Sequence, residues 1–518
     1  MSYKPYLLSI DNGTQSVRAL VFDLQGNLIH KVHIPIEPYY STHPGWAEQD
    51  PQIFWQSVCD ACQGIWQDSD ITPDQIAGVA VTTQRATVIN LDSAGNPLRD
   101  AISWLDQRRS ENYPDVGRLW KLIFKMVGQS GTVKYFQSKA SNNWIAYNQT
   151  QVWEKTHKYL LLSGYLNYKI TGEFTDSAAS QVGYLPFNYK DLTWSSDRDW
   201  KWKALHIDRD KLPELVNPGE KIGEIRDQAA GETGLLSGTP VIAAAADKAC
   251  EVLGTGTTGL HQACLGYGTT ATVNVTSSKY TEPTPFIPPY PAAIPNNYSI
   301  EVQNFRGFWL VSWFKKEFGH REQDIAPQEG LTPEELLNRM LDQVPAGSVG
   351  LMTLPYWTPG VRIPGPEAKG SIIGFADLHT RAHIYRAILE GLAYALREGS
   401  ERIQKRTKQK ITSLAVAGGG SQSDRVMQIT ADIFGLPASR PHVYETSGLG
   451  AAIDCAVGLG LHSDFDTAIR EMTRSTAVFE PNPDTHDFYN QLYTRVYKHM
   501  YKQLKPLYQE IQDITGYP

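Results

Sequence analysis

The nine residues Ile10-Asp11-Asn12-Gly13-Thr14-Gln15-Ser16-Val17-Arg18 decide how the beginning of this chain folds. They join two apolar runs, residues 6–10 and 19–23, and a short polar segment between two such runs is typical of a β-hairpin. A turn of this composition can offer N–H groups and hydroxyls to a phosphate, a carboxylate to Mg²⁺ and a guanidinium to developing negative charge. The same pattern also occurs in hairpins that bind nothing, so its meaning depends on the rest of the chain.

The length and composition are those of a globular protein with more than one domain. The chain has 518 residues, of which 41% are hydrophobic and 20% charged, and this length predicts two large or three smaller domains. The net charge is −7 and the charges are dispersed, which argues against a nucleic-acid partner because such a partner needs a basic surface. With neither a signal-peptide pattern nor an 18-residue apolar run, the sequence predicts a cytoplasmic protein without a membrane partner.

The five cysteines predict no disulfide framework, because they are few and scattered. Cys59 and Cys62 form a CxxC pair, a spacing that can support redox or metal chemistry. The pair lies in an apolar helical pattern, so we interpret both thiols as part of the core.

A second strand–turn–strand pattern begins about 255 residues after the first. Residues 262–267 and 271–275 have the composition of strands. The turn between them contains Gly268-Thr269, as the first hairpin contains Gly13-Thr14. This repetition predicts two domains of similar fold that face one cleft.

Other segments have equally distinct patterns. Residues 145–170 are expected to be helical, and residues 240–246 form an apolar strand that runs into Asp247. Residues 276–296 contain six prolines and are expected to form an irregular loop, since proline lacks a backbone N–H. Residues 381–406 have the periodicity of a long helix. Tyrosines at every fourth position near the end of the chain predict a helix docked on the core; they are Tyr489, Tyr493, Tyr497 and Tyr501.

Glycine-rich segments occur at three places, and one of them has the context of a nucleotide site. Residues 254–259 and 266–271 match the GxGxxG pattern or its alanine variant, but neither stands between a strand and a helix as a dinucleotide site requires. A third segment follows an apolar strand and precedes a helical pattern, and its members are Gly418, Gly419, Gly420 and Ser421. Three glycines let a flat ligand approach the backbone, so we predict a nucleotide site there, with a simple strand–helix turn as the alternative.

Polar residues follow two further strands. Asp247 comes after a strand of small residues, where a carboxylate could act as general base toward a substrate hydroxyl or simply cap a turn. Gln84 and Arg85 follow another strand, and Trp104 and Asp106 lie soon after. Together these four provide the polar groups and the aromatic face that a sugar pocket needs.

Taken in order, these segments resemble the FGGY carbohydrate kinases of the actin–hexokinase superfamily, from about residue 5 to 500. Eight landmarks carry the resemblance, and they occur in the order of the family. They are Asp11-Asn12-Gly13-Thr14 with Arg18, residues 44–51 (PGWAEQDP), residues 166–173 (LNYKITGE), Asp247, Gly268-Thr269, Glu390-Gly391, Gly418 to Ser421 continuing to Asp432, and Phe479-Glu480-Pro481.

The resemblance implies an α/β protein with two ribonuclease-H-like domains of the actin/hexokinase type flanking a deep catalytic cleft. It also implies that ATP, with Mg²⁺, phosphorylates a hydroxyl of a small sugar, ketose, polyol or sugar acid. Asp247 would be the general base, and Arg18 would assist catalysis. Asp11 and Asp247 would hold the metal. The phosphates and adenosine would be bound by Gly13, Thr14, Gly268, Thr269 and residues Gly418, Gly419, Gly420 and Ser421, and the substrate by Gln84, Arg85, Trp104, Asp106 and Lys248.

The chain departs from the family pattern where the sugar would bind. Residues 141–148 match the first family signature poorly, and Ala86 stands where glycerol kinases have an acid. Lys248 follows the expected base where glycerol and xylulose kinases have an amide. A cation there would favour the ionised form of Asp247 or contact an acidic or keto group of the substrate, so the sugar is left open.

We expect an N-terminal domain over 1–254, a C-terminal domain over 255–460 and a helical extension over 461–518, with a homodimer as one assembly. Two alternatives to the kinase are a nucleotide-gated sugar sensor on the same fold, and a dinucleotide-dependent dehydrogenase based on the two GxGxxG matches. Retention of Asp11, Arg18 and Asp247 argues against the sensor, since a sensor needs no base.

Overall fold

Two mixed sheets with the same strand order form the centre of the protein. The computed structural model describes residues 5–360 and 364–516. The strands of the first half are β1 (Tyr6–Asn12), β2 (Ser16–Asp23), β3 (Leu28–Pro35), β4 (Glu48–Gln49), β5 (Ile76–Thr83), β6 (Val88–Leu91), β7 (Ala101–Ile102), β8 (Lys158–Leu161), β9 (Thr175–Ser177), β10 (Phe187–Asn188), β11 (Thr193–Trp194), β12 (Glu214–Val216), β13 (Lys221–Glu224) and β14 (Pro240–Ala243). The helices of this half are α1 (Pro51–Asp68), α2 (Arg118–Met126), α3 (Ser130–Lys139), α4 (Ser141–Asn148), α5 (Thr150–Lys155), α6 (Leu162–Thr171), α7 (Trp200–Ala204), α8 (Asp227–Thr233) and α9 (Asp247–Gly254).

The second half repeats this mixture of strands and helices. Its strands are β15 (Gln262–Tyr267), β16 (Ala271–Ser277), β17 (Tyr290–Pro291), β18 (Tyr298–Asn304), β19 (Met352–Leu354), β20 (Ser371–Ile373), β21 (Ser413–Ala417), β22 (Ala438–Pro441) and β23 (Ser475–Phe479). Its helices are α10 (Trp309–Phe318), α11 (His320–Glu329), α12 (Pro333–Arg339), α13 (Arg381–Thr407), α14 (Asp424–Phe434), α15 (Thr446–Gly458), α16 (Phe465–Met472), α17 (Pro483–Leu492) and α18 (Lys498–Thr515).

The strand order confirms the predicted duplication. The first sheet runs β3-β2-β1-β5-β14-β13, and the second runs β18-β16-β15-β21-β22-β23 with β17 added at its edge. In each sheet an antiparallel hairpin is followed by two parallel neighbours and a final antiparallel strand. We call the parts of the molecule built on these sheets the first and second lobes.

Helices α9 and α15 cross with their backbones in contact. A side chain added at Gly254 would place its Cβ 2.0 Å from the carbonyl oxygen of Thr446, and one added at Gly450 would lie 2.0 Å from that of Cys250. Only glycine fits at both positions, because no Cβ can approach a carbonyl oxygen so closely.

Helix α15 also packs on the first sheet, although it follows the second sheet in sequence. Its Leu449 and Ile453 share a buried cluster with Leu7, Leu20 and Phe22 of strands β1 and β2. One hydrophobic cluster is therefore built from both halves of the chain, next to a separate cluster in each.

Several elements differ from the sequence-based expectation. Within residues 145–170, the segment Lys158–Leu161 is strand β8, because it pairs with β6 in an antiparallel ladder. The strand predicted over 240–246 ends at Ala243, and Asp247 is the first residue of helix α9. The proline-rich loop contains the short strand β17, which pairs with β18.

The tyrosine stripe near the end of the chain is confirmed as a docking surface. Tyr489, Tyr493 and Tyr497 are buried, and each ring lies within 6.2 Å, centroid to centroid, of Tyr394 in helix α13. The stripe runs from α17 through a π-helical turn, Tyr493–Tyr497.

The cysteine side chains have a structural role, as predicted for Cys59 and Cys62. All five cysteines are unpaired and buried, and burial raises the pKa of the Cys59 thiol to about 12, which leaves it unreactive at neutral pH. None of the helices in the described ranges is long and apolar enough to cross a membrane.

Candidate functional site

Three parallel strands of the first sheet deliver the predicted residues to one edge. Strand β1 ends just after Asp11, β5 ends just before Gln84 and Arg85, and β14 leads within a few residues to Asp247. Because β1, β5 and β14 run parallel, their carboxyl ends meet at the same edge, where ligands bind in open α/β sheets.

The first hairpin holds a buried acid against an arginine. Asp11 and Arg18 face each other across β1 and β2, and Arg18 Nη1 lies 2.9 Å from Asp11 Oδ2. Arg18 Nε is also 3.6 Å from the carboxylate of Glu445, which belongs to the second half of the chain. Burial, together with the charges of Asp247 and Glu445, raises the pKa of Asp11 to about 6 even though Arg18 opposes the shift.

Thr14 joins the hairpin to the predicted sugar pocket. Its Oγ1 donates to Gln84 Oε1 over 2.8 Å and accepts a hydrogen bond from Trp104 Nε1 over 3.0 Å. Gly13 lies in the same turn, where its N–H donates to the carbonyl oxygen of Ser16. The hairpin tip and two of the four predicted pocket residues therefore form one connected surface.

Asp247 lies at the amino end of α9, and its side chain is half-buried. Its Oδ1 accepts the backbone N–H of Lys248 over 2.7 Å. Burial raises the pKa of Asp247, while the charges of Arg85 and Lys248 act in the opposite direction. A carboxylate with a raised pKa is better suited to take a proton than an exposed one.

The two cations beside Asp247 are both paired with carboxylates that sequence reasoning missed. Lys248 Nζ lies 3.0 Å from Glu251 Oε1, and Arg85 makes two hydrogen bonds, of 3.0 and 3.3 Å, to Glu301. The first partner stands one helical turn after Lys248, so i,i+3 spacing could have found it. The second comes from β18 in the second lobe, and no sequence pattern points to it.

Asp106 is held by the protein itself. Its Oδ2 accepts the backbone N–H of Ala47 over 2.7 Å, and both of its carboxylate oxygens accept from Arg108 Nε. These bonds fix the position of the carboxylate, and its role as a substrate ligand stays a prediction.

The second hairpin meets the first lobe at Lys248. The Nζ of Lys248 lies 3.1 Å from the position of a Cβ built on Gly266 and 3.7 Å from one built on Gly268. Thr269 is at the tip of this hairpin, in the position that Thr14 has in the first. The second Gly-Thr turn therefore lies beside the residue that follows Asp247, and a shared site for both turns stays a prediction.

The glycine-rich segment after β21 lies against the second hairpin. Gly418 has φ +80° and ψ 177°, a conformation that is essentially restricted to glycine, and a Cβ there would lie 2.7 Å from the backbone of Tyr267. Gly420 packs as closely against the rings of Phe308 and Tyr267. Ser421 Oγ donates back to the carbonyl oxygen of Gly418 over 2.8 Å.

Just after this loop, helix α14 begins with an ordinary N-terminal cap, since the side chain of Ser423 accepts a hydrogen bond from the N–H of Val426.

Neither GxGxxG match has a dinucleotide context: residues 254–259 begin at the last residue of α9, and residues 266–271 span the turn from β15 to β16. The structure thus agrees with the prediction that these two segments are not dinucleotide sites.

Comparison with known proteins matches both halves of the chain to one family. Residues 6–254 match the model of the FGGY family of carbohydrate kinases, N-terminal domain, and residues 263–459 match its C-terminal domain.

Three relatives cover nearly the whole chain. An uncharacterized sugar kinase, YgcE of Escherichia coli K12, is 30% identical over 500 residues, covering 96% of this chain and 94% of its own. The xylulose kinase of Staphylococcus epidermidis ATCC 12228 is 28% identical over 518 residues, covering 99% of this chain and all of its own. A crystal structure of xylulose kinase from Lactobacillus acidophilus superposes with a TM-score of 0.78 at 23% identity, covering 99% and 98% of the two chains, and shows the same fold. The chain belongs to the FGGY family of carbohydrate kinases.

Proposed function

We propose that this kinase transfers the γ-phosphoryl group of ATP to a hydroxyl of a small sugar, ketose, polyol or sugar acid, with Asp247 as the general base. The observation that carries the proposal is the position of Asp247: it is a half-buried carboxylate at the amino end of α9, beside Arg85 of the first lobe and Lys248 against the second hairpin. Phosphoryl transfer needs alignment, charge stabilisation and one group that receives the hydroxyl proton. Asp247 would receive that proton.

Asp11 and Asp247 fit the Mg²⁺ that accompanies ATP. Asp11 is buried and Asp247 is half-buried, and they are close enough for the charge of Asp247 to raise the pKa of Asp11, so a bound cation would stabilise the ionised form of both. In the parts of the chain that the structure describes, groups of three or more His, Cys, Asp or Glu side chains suited to a metal do not occur. Mg²⁺ is usually bound by one or two carboxylates together with substrate phosphates. The ion would supply charge neutralisation at the phosphates.

The two Gly-Thr turns would receive the phosphates and the glycine-rich loop the adenosine. Gly13 and Thr14 approach from the first lobe, Gly268 and Thr269 from the second, and Arg18 adds a guanidinium already oriented by Asp11. The Gly418–Ser421 loop adjoins the second turn through Tyr267. Backbone N–H groups and hydroxyls on opposite sides would hold a triphosphate in line with the acceptor hydroxyl.

The direct test is ADP release by the purified chain with ATP, Mg²⁺ and a panel of C3 to C6 polyols, 2-ketoses and aldonates. We expect sugar-dependent ADP release that EDTA abolishes. A protein that binds ATP and a sugar but releases no ADP with any member of the panel would be the sugar sensor instead.

Replacing Gly418 by alanine should raise KM for ATP at least about tenfold and leave KM for the sugar nearly unchanged. The added Cβ would lie 2.7 Å from the backbone of Tyr267, and the φ of the residue is unfavourable for alanine by about 1–3 kcal/mol. Steady-state kinetics at varied ATP measure the effect.

The matched control is Gly419→Ala. A Cβ at Gly419 would meet only the Tyr444 hydroxyl at 3.5 Å, an ordinary contact. Equal KM values for ATP in the two variants would show that the loop does not bind the nucleotide.

A further inference from the structure

A small pocket beside Asp247 is built by both lobes. Arg85 and Lys248 line it from the first lobe, and Tyr290, Ser299 and Glu301 line it from the second. Tyr290 belongs to the proline-rich segment, whose strand β17 is paired to β18. The proline-rich segment therefore supplies part of the wall next to the proposed base.

Arg85 and Glu301 form a bridge across the two lobes inside this pocket. Two parallel hydrogen bonds join them, and the side chain of Glu301 is only 2% exposed. The ring of Tyr290 covers the guanidinium, with 5.0 Å from the Arg85 Cζ to the ring centroid. Bidentate geometry of this kind fixes both partners in position.

Among the residues that the structure describes, both cations lining the pocket are already paired with carboxylates. Arg85 is paired with Glu301, Lys248 is paired with Glu251, and Asp247 adds one further negative charge. A carboxylate entering the pocket would have to displace one of two carboxylates already bound to these cations and then remain near it. A neutral sugar meets no such penalty.

We propose that Glu301 determines substrate specificity by restricting this pocket to neutral polyhydroxylated sugars, an inference that rests on the proposed kinase function. Two of the four lone-pair positions of its carboxylate are used by Arg85, and the others can accept from sugar hydroxyls. Arg85 has further N–H groups that can donate to hydroxyl or carbonyl oxygens. A sugar that bonds to the free lone pairs of Glu301 and the free N–H groups of Arg85 contacts both lobes at once.

The inference selects between the substrate classes that the sequence left open. Lys248 suggested an acidic or keto group, but its pairing with Glu251 removes the reason for the acidic one. Glycerol kinases have an acid directly after the arginine, where this chain has Ala86. Here the carboxylate next to Arg85 is supplied instead by Glu301 of the second lobe.

The test compares the wild type and Glu301→Gln on D-xylulose, glycerol, the neutral members of the C3 to C6 panel and D-gluconate. We expect the wild type to phosphorylate neutral sugars in preference to gluconate. In Glu301→Gln, kcat/KM for the best neutral sugar should fall about 10- to 100-fold, since a charged hydrogen-bond acceptor is lost. The ratio of gluconate to neutral-sugar activity should rise at least about tenfold, because Arg85 becomes available to a carboxylate.

Two further variants distinguish the charge of Glu301 from the position of its carboxylate, and both from the general effect of losing a buried ion pair. Glu301→Asp keeps the charge but shortens the side chain, so neutral-sugar activity should fall while gluconate remains excluded. Glu322→Gln breaks another bidentate pair with a buried glutamate, 2.6 Å to Arg381 at both bonds, away from the pocket, and should leave the substrate preference unchanged.

The outcomes divide clearly. A wild type that prefers gluconate, or a Glu301→Gln variant with unchanged kcat/KM and an unchanged ratio, overturns the role of Glu301 while the kinase function stands. If the wild type phosphorylates none of the panel, the proposed function fails and this inference fails with it.

Discussion

Replacing Asp247 by asparagine should lower kcat by about 10³-fold, within the range expected for loss of a general base. The amide has the same shape but cannot accept the hydroxyl proton, and the backbone N–H of Lys248 still has an oxygen to bond to. Because Arg85 and Lys248 keep their own carboxylate partners, the variant should remain folded. Stopped-time assays of ADP release at saturating ATP and sugar measure the loss.

Two measurements make this prediction specific to the chemical step. Calorimetry should show that Asp247→Asn still binds ATP with an affinity close to that of the wild type in the absence of Mg²⁺, and Asp247→Glu, which keeps a carboxylate, should retain part of the turnover. A kcat for Asp247→Asn equal to that of the wild type would remove Asp247 from the mechanism.

Replacing Gly450 by alanine should lower the free energy of unfolding by about 3 kcal/mol or more, the upper part of the range for overpacking a core. The new Cβ would lie 2.0 Å from the carbonyl oxygen of Cys250 and 2.7 Å from its Cα. Both atoms are backbone of helix α9, so no side chain can rotate away, and the two helices would have to separate. Thermal or denaturant unfolding monitored by circular dichroism measures the change.

Gly231→Ala is the matched control, because Gly231 is also in a helix but a Cβ there would meet nothing within 4 Å. Alanine is favoured over glycine in a helix by up to about 1 kcal/mol, so this variant should be as stable as the wild type or slightly more so. Were Gly450→Ala as stable as Gly231→Ala, the close crossing of α9 and α15 would be disproved.

Local patterns predicted the parts of the site that lie on single hairpins or turns. The short apolar runs on either side of Gly13-Thr14 and of Gly268-Thr269 are sufficient to place both hairpins, because strand composition and turn composition are local properties. The glycine triplet at 418–420 was found in the same way. Its φ of +80° at Gly418 gives the physical reason that glycine is needed.

Contacts between distant parts of the chain could not be predicted in this way. Arg85 and Glu301 are 216 residues apart in sequence, and Arg18 meets Glu445 only because the end of the second half returns to the first hairpin. Nor did the composition of Lys158–Leu161 distinguish a strand from a helix, since it is a short apolar run whose state is decided by pairing with β6. The bond from the Ala47 N–H to Asp106, 59 residues apart, is another contact that local patterns do not predict.

The return of α15 to the first sheet has a consequence for how this protein is made. Leu7, Leu20 and Phe22 are fully buried, but their cover is synthesised about 200 residues after α9 has been completed. At ribosomal rates of about 5–20 residues per second, the nascent first lobe waits about 10 to 40 s with this apolar face open to water. A fragment ending at α9 would keep it open permanently, so the first half of the chain is expected to need the second half, or a chaperone in the interval, to escape aggregation.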